Sequence, residues 1–276
     1  MLGAIVGDIV GSIYEFDNHK SKDFPLFQDS CFFTDDTVLT LAVAEWLMSD
    51  RDTPASHLAA MAARYPYLSY GARFQGWMSS PNYDPYNSFG NGSAMRVSPV
   101  AWWGECEQEV LDLAKASAEV THNHPEGIKG AQATALATFM AIMDGGPWDI
   151  RARMQEQFGY DMDRSVDQIR EVYQYNETCQ ETVPEALICA FEATDFEDAI
   201  RNAISIGGDS DTVAAITGSV AEAMFGIPDW IAEEALSKLD DYCLGIIERF
   251  SPHCELPVAA VEALGQSPDQ STTEPV

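Results

Sequence analysis

The chain has 276 residues, 46% of them hydrophobic, which is enough to bury the core of one large domain. With 44 acidic against 15 basic residues its formal net charge is −29, and that argues against nucleic acid or an anionic membrane as partner, because phosphate-rich surfaces are held by clustered Lys and Arg. Six cysteines, at 31, 106, 179, 189, 243 and 254, form no C-x-x-C pair and are expected to be reduced thiols of a cytoplasmic protein; Asp8 interrupts the N-terminal apolar stretch, so no secretory signal is expected, and no apolar run is long enough to span a bilayer.

In chain order, residues 2–15 carry Leu2, Ile5, Val6, Ile9, Val10 and Ile13 at helical intervals. Gly3, Gly7 and Gly11 fall on one i,i+4 row. Since each glycine costs a helix about 1 kcal/mol relative to alanine, three in a row predict a second helix backbone lying close along that face. Asp8, Ser12 and Glu15 form a polar stripe on the same helix, either a solvated edge or the border of a cleft. Thr34-Asp35-Asp36-Thr37 then opens into Val38, Leu39, Leu41, Ala42, Trp46 and Leu47, again at helical spacing, so this cluster stands at a helix N-terminus.

A further helix is expected at 55–65. Residues 66–89, rich in Tyr, Phe, Gly, Pro and Asn, read as a long irregular segment, either a wall for an aromatic ligand or a satellite hydrophobic cluster. Arg96, beside the Gly90-Asn91-Gly92 loop, is expected to brace that loop through an ion pair. Helices follow at 107–119 and 127–143. The His122-x-His124 pair before Pro125 lacks a third nitrogen or sulfur ligand, so it is not read as a metal site, and His124 is taken as structural. Asp144-Gly145-Gly146-Pro147 and Gly226-Ile227-Pro228 read as helix-to-helix turns, and Cys179 has no basic neighbour that would activate it. Helices are expected at 184–204 and 229–249. Between them Asp209-Ser210-Asp211-Thr212 opens into Val213, Ala214, Ile216, Val220, Met224 and Phe225. One domain, 1–264, and a disordered tail, 265–276, complete the organisation.

The two acidic clusters repeat one device. One carboxylate per helix start is accounted for by capping and the helix dipole. A second beside it repels the first unless a cation offsets both. The donors are hard oxygens, four carboxylates and the hydroxyls of Thr34 and Thr212, which favours Mg²⁺ or Mn²⁺, allows Ca²⁺ and disfavours Zn²⁺; neither cluster has the EF-hand pattern.

Four blocks resemble the ADP-ribosylglycohydrolases: Gly7-Asp8-Ile9-Val10-Gly11-Ser12-Ile13-Tyr14-Glu15, Phe33-Thr34-Asp35-Asp36-Thr37, Gly90-Asn91-Gly92-Ser93-Ala94-Met95-Arg96 and Gly207-Gly208-Asp209-Ser210-Asp211-Thr212. The resemblance implies an all-α fold, a single-domain orthogonal multi-helix bundle, with two Mg²⁺ or Mn²⁺ ions held by Thr34, Asp35, Asp36, Asp209, Asp211 and Thr212. It implies ADP-ribose in a loop of Ser88, Phe89, Gly90, Asn91, Gly92 and Ser93, with His122 lining the same cleft. Glu15 and Asp36 would be the catalytic carboxylates.

The implied reaction is hydrolysis of the glycosidic bond between ADP-ribose and a modified acceptor, protein or small molecule. The oxocarbenium character that develops at ribose C1 needs nearby oxygens and carboxylates, which the clusters supply. Two other readings remain open: another two-metal hydrolase acting on a nucleotide or phosphate ester, and a catalytically silent binding member of the fold.

Overall fold

The computed structural model describes residues 1–49, 53–254, 256 and 258–265, and among these the regular structure is helical, with one isolated antiparallel bridge between Gly90 and Thr178. The helices in chain order are α1 (Leu2–Gly11), α2 (Asp35–Leu47), α3 (Pro54–Arg64), α4 (Ala72–Met78), α5 (Gly92–Met95), α6 (Ser98–Trp103), α7 (Glu107–Glu119), α8 (Pro125–Ile142), α9 (Pro147–Phe158), α10 (Val166–Val172), α11 (Cys179–Phe191), α12 (Phe196–Ile206), α13 (Ser210–Phe225), α14 (Asp229–Leu236), α15 (Asp241–Phe250) and α16 (Val258–Gly265). One hydrophobic cluster runs from Met1 to Leu264, so the chain folds around a single core as expected of one domain. From residue 266 onward the expected tail lies outside the described residues. No helix among the described residues is long and apolar enough to cross a membrane.

The centre of the molecule is α13, buried from Ser210 to Glu222 and packed by α1, α8, α11 and α12. Every residue of α1 is buried too. The glycine row explains how both fit. A Cβ on Gly3 would stand 2.2 Å from the Gly218 carbonyl oxygen, one on Gly7 2.0 Å from that of Ala214, and one on Gly11 2.4 Å from the Asp211 Cα. The numbers fall along α13 as they rise along α1, so the two helices are antiparallel. That places the C-terminal end of α1 against the first turn of α13.

The structure corrects three helix limits. The first helix ends at Gly11 rather than residue 15: the Ser12 N–H closes it on the Asp8 carbonyl at 2.8 Å, and the chain then tightens, the Tyr14 N–H bonding the Gly11 carbonyl three residues back at 2.8 Å. The span 184–204 is two helices, α11 and α12, since the Asp195 carboxylate accepts the Asp198 N–H at 2.8 Å and starts a new one. The span 229–249 divides in the same way at Asp240, which caps α15 by accepting the Cys243 N–H at 2.9 Å. Residues 66–89 are mostly irregular, with α4 inside them. Tyr70, Phe74, Trp77 and Tyr83 follow one another with ring centroids 5.1–5.6 Å apart, but they join the main core rather than forming a satellite cluster, and Phe74 also lines the main cavity.

Candidate active site

Thr34 precedes α2 with extended backbone and its hydroxyl accepts the Asp36 N–H at 3.2 Å, an ordinary N-cap. The rest of the capping comes from α1. The Asp8 carboxylate, fully buried, accepts the Thr34 N–H (2.9 Å), the Thr34 hydroxyl (2.6 Å), the Thr37 N–H (3.1 Å) and the Thr37 hydroxyl. The polar stripe of α1 is therefore no solvated edge: Asp8 is an internal cap for a neighbouring helix. With that duty met from outside, Asp35 and Asp36 are free of it, and Asp36 accepts the Thr212 hydroxyl at 3.0 Å across the gap to α13.

The second cluster is built differently. Gly207 and Gly208 turn with φ of 69° and 84°, a region where side chains with a Cβ are strained, and deliver Asp209 to the start of α13. Asp209 makes no cap bond. Instead it accepts from the Asn91 Nδ2 at 2.7 Å, and Asp211 accepts its neighbour Thr212 N–H at 2.9 Å. Asn18 clips the turn to the chain that carries Glu15: its amide donates to the Gly208 carbonyl and accepts the Gly208 N–H, both at 2.8 Å, besides holding Tyr14 and Glu15. The result is that one carboxylate oxygen each of Glu15, Asp209 and Asp211 lies within 4.8 Å of the others.

These acids have no Lys or Arg partner within ion-pair distance among the described residues. Burial, with the charges of Asp209, Asp35, Asp8 and Glu177, pushes Glu15 up to about 7. Burial and the charge of Asp8 push Asp35 up to about 7. Asp36 and Asp211 stand well above the usual carboxylate range through burial first and then their acidic neighbours, and burial raises Asp209 against the pull of Asp211 and Asn91. Mutual repulsion of buried carboxylates without a counter-ion is what a divalent cation relieves, and the all-oxygen donor set suits Mg²⁺ or Mn²⁺.

A cavity of about 400 Å³ opens over the cluster. Of the residues singled out in the sequence, it is lined by Glu15, Asp35, Asp36, Asp209, Asp211, Thr212, Ser88, Gly90, Asn91, Gly92 and His122. Thr34, Phe89 and Ser93 are not on its wall. Thr34 is committed to Asp8, Ser93 donates to the Gly127 carbonyl at 2.7 Å beneath the loop, and Phe89 packs on His124 at 5.2 Å. The loop itself is tied down by backbone, Asn91 N–H to the Glu177 carbonyl (2.7 Å) and Cys179 N–H to that of Phe89 (2.9 Å). The Cys179 thiol, pushed up to about 12 by burial, donates to the Gly90 carbonyl at 3.0 Å and is no nucleophile.

Two expectations about basic groups change. Arg96 makes no ion pair; fully buried, it donates through Nη2 to the Ser117 carbonyl (2.9 Å) and the Thr121 hydroxyl (2.8 Å), bracing the site against the C-terminal turn of α7, whose dipole favours a cation. His122 is held well below its ordinary pKa by burial, then by Arg96 and Arg73, and so is a neutral imidazole. The sequence reading did not assign roles to Asp8, Asn18, Arg73, Tyr86, Tyr175 or Glu177. Asp8 was visible on the polar stripe, and Arg73 and Tyr86 lie in the aromatic-rich segment 66–89, whereas Asn18, Tyr175 and Glu177 have no local signal.

Comparison with known proteins identifies the family. The family model for ADP-ribosylglycohydrolase matches residues 1–265. The chain is 27% identical to the ADP-ribosylarginine hydrolase Tri1 of Pseudomonas putida (86% of this chain, 74% of that one) and 24% identical to the mouse ADP-ribosylhydrolase ARH3 (82% and 83%). Its fold resembles the solved structure of an ADP-ribosylglycohydrolase-related protein complex with a TM-score of 0.64 over 95% of both chains, at 22% identity. The chain belongs to the ADP-ribosylglycohydrolase family, whose members hydrolyse ADP-ribose linkages.

Proposed function

We propose that the protein is a divalent-metal-dependent hydrolase that cleaves the glycosidic bond between ADP-ribose and an ADP-ribosylated acceptor, protein or small molecule, and releases ADP-ribose. The observation that carries this reading is the convergence of Glu15, Asp35, Asp36, Asp209 and Asp211 on one cavity with no Lys or Arg within ion-pair distance of them among the described residues. Asp35, Asp36, Asp209 and Asp211, with the Thr212 hydroxyl, would hold two Mg²⁺ or Mn²⁺ ions, while Thr34, bonded to Asp8, sets the start of the helix that carries Asp35 and Asp36. When bound, these ions supply electrophilic stabilisation and orientation of the ribose hydroxyls.

The rest of the chemistry belongs to side chains. Ser88, Gly90, Asn91, Gly92 and His122 would form the ADP-ribose cradle, with Phe89 and Ser93 bracing the loop from behind, its neutral donors and backbone suiting a diphosphate without ion pairs. Arg73 and Arg96 offset locally the repulsion that a chain of net charge −29 exerts on an anion. Glu15, whose basicity is raised by burial and then by its acidic neighbours, stands beside Asp209 and Asp211, where it would orient the attacking water or assist the leaving group, and Asp36 would accept the water proton. The unpaired state of all six cysteines supports a reducing, cytoplasmic setting.

The test is incubation with Mg²⁺ or Mn²⁺ and acceptors ADP-ribosylated on arginine or serine, with chromatographic detection of free ADP-ribose. Release of inorganic phosphate instead would favour a phosphate-ester hydrolase. Tight ADP-ribose binding without turnover of any acceptor would favour a silent member of the fold.

A further inference from the structure

Arg96 is fully buried, lines the cavity, and has no carboxylate within ion-pair distance among the described residues. Its Nε and Nη1 find no acceptor. An unanswered buried cation is strongly unfavourable. In a chain with 44 acidic residues it needs a cause.

The cause lies along the hydrogen bonds that Arg96 does make. Its Nη2 donates to the Thr121 hydroxyl, and that oxygen stands 2.7 Å from His122 Nδ1. The other contact open to the Thr121 hydroxyl is the Ala118 carbonyl at 3.4 Å, which already accepts the N–H groups of Thr121 and His122. A hydroxyl has one proton to give. Polarised by the guanidinium, it gives that proton along the short contact, because hydrogen bonds in a chain reinforce one another when they run in one direction. Nδ1 is then the acceptor and Nε2 carries the ring proton. Nε2 faces the glycine loop: a Cβ on Gly90 would lie 3.5 Å from it, and one on Gly92 3.4 Å.

We propose that Arg96 is a positioning residue that acts through the Thr121 hydroxyl to fix His122 in its Nε2–H form, so that the imidazole offers a neutral donor to a phosphate oxygen lying against the Gly90–Gly92 loop. The inference rests on the reading that the cavity takes ADP-ribose, whose diphosphate is that anion. A histidine free to choose its tautomer would spend part of its time presenting a lone pair to the same oxygen. The relay removes that repulsive state, and the uncompensated charge of Arg96 remains to be answered by the diphosphate.

Nitrogen NMR of histidine-labelled protein, with His122 assigned through His122→Gln, reads the tautomer without any ligand. Wild type should show Nε2–H, Thr121→Ser should keep it, and Thr121→Val should shift it toward Nδ1–H. Calorimetry with ADP-ribose in Mg²⁺ should show Thr121→Val binding about tenfold or more weakly, the scale of one charge-assisted hydrogen bond, and Thr121→Ser near wild type. Arg96→Lys is the direct variant, but loss of a buried guanidinium endangers the fold, so the Thr121 pair carries the test. An Nδ1–H wild type, or a Thr121→Val protein unchanged in tautomer and affinity, overturns the relay. Failure of wild type to bind ADP-ribose, with the tautomer as expected, would overturn the ligand reading and the donor role that rests on it, while the relay itself stands.

Discussion

The starts of α2 and α13 carry nearly the same residues and solve opposite problems. At α2 the capping is done by Thr34 and, from another helix, by Asp8, which alone accepts four bonds. At α13 the two glycines turn the chain and Asp209 leaves the helix uncapped to meet Asn91. The difference teaches that carboxylates in one site divide into those that hold the fold and those held by it. Asp8 stabilises the architecture, whereas Asp36, Asp209 and Asp211 are kept close at a cost that a cation would offset.

The largest effect expected from this division is on turnover. Asp36→Ala and Asp211→Ala should abolish ADP-ribose release while leaving the helical circular dichroism spectrum intact, because neither side chain is a structural cap. Retained activity in either would remove these residues from the machinery. Next is Gly7→Ala, whose Cβ meets the Ala214 carbonyl group of a rigid helix. A loss of about 3 kcal/mol or more is expected in urea denaturation, at the upper end for overpacking, since α1 must withdraw from α13 and take Asp8 and Glu15 with it. Asp8→Ala should cost about 3 kcal/mol by stranding buried donors of Thr34 and Thr37. Metal-free Asp211→Asn should melt at or above metal-free wild type, and Mg²⁺ should raise its melting temperature much less than that of wild type. Equal melting shifts for Asp8→Ala and Asp211→Asn would erase the contrast between the two helix starts.

Glu15→Gln is expected to lower kcat by roughly 10², the scale of general acid–base assistance, with little change in ADP-ribose affinity, as kinetics beside calorimetry would show. The smallest effect is on pH dependence. Glu15 and Asp35 stand at about 7, above their ordinary values of 4.5 and 3.8. Groups raised on folding contribute stability that is complete below the unfolded pKa and is lost as pH rises through the folded one. Metal-free wild type should therefore lose stability between about pH 4 and pH 7. Asp35→Asn should flatten that slope in thermal melts with chelator, and Mg²⁺ should flatten it for wild type. A slope that is the same in wild type and Asp35→Asn would contradict the assignment.

Much of this was legible in local pattern. Two helix starts were visible because capping and helical periodicity act over a few residues, and the glycine row announced a close helix because only backbone contact repays three glycines. The breaks before Phe196 and Asp241 were missed although Asp195 and Asp240 are ordinary caps, because continuous apolar spacing outweighed one acidic residue in the reading.

Sequence by itself therefore determined most of the longer helices, though not α9 or several short ones, α4, α6 and α10 among them, together with the paired acidic starts and the glycine seam, all of which depend on neighbours within about two turns of helix. The tertiary structure alone decided that Asp8 caps a helix other than its own, that Asn18 clips Glu15 to the Gly208 turn, and that Arg96 speaks to His122 through Thr121 rather than to an acid. Each of these is a directional hydrogen bond whose partner is set by how α1, α7 and α13 pack, and no residue spacing encodes where a side chain from another helix arrives.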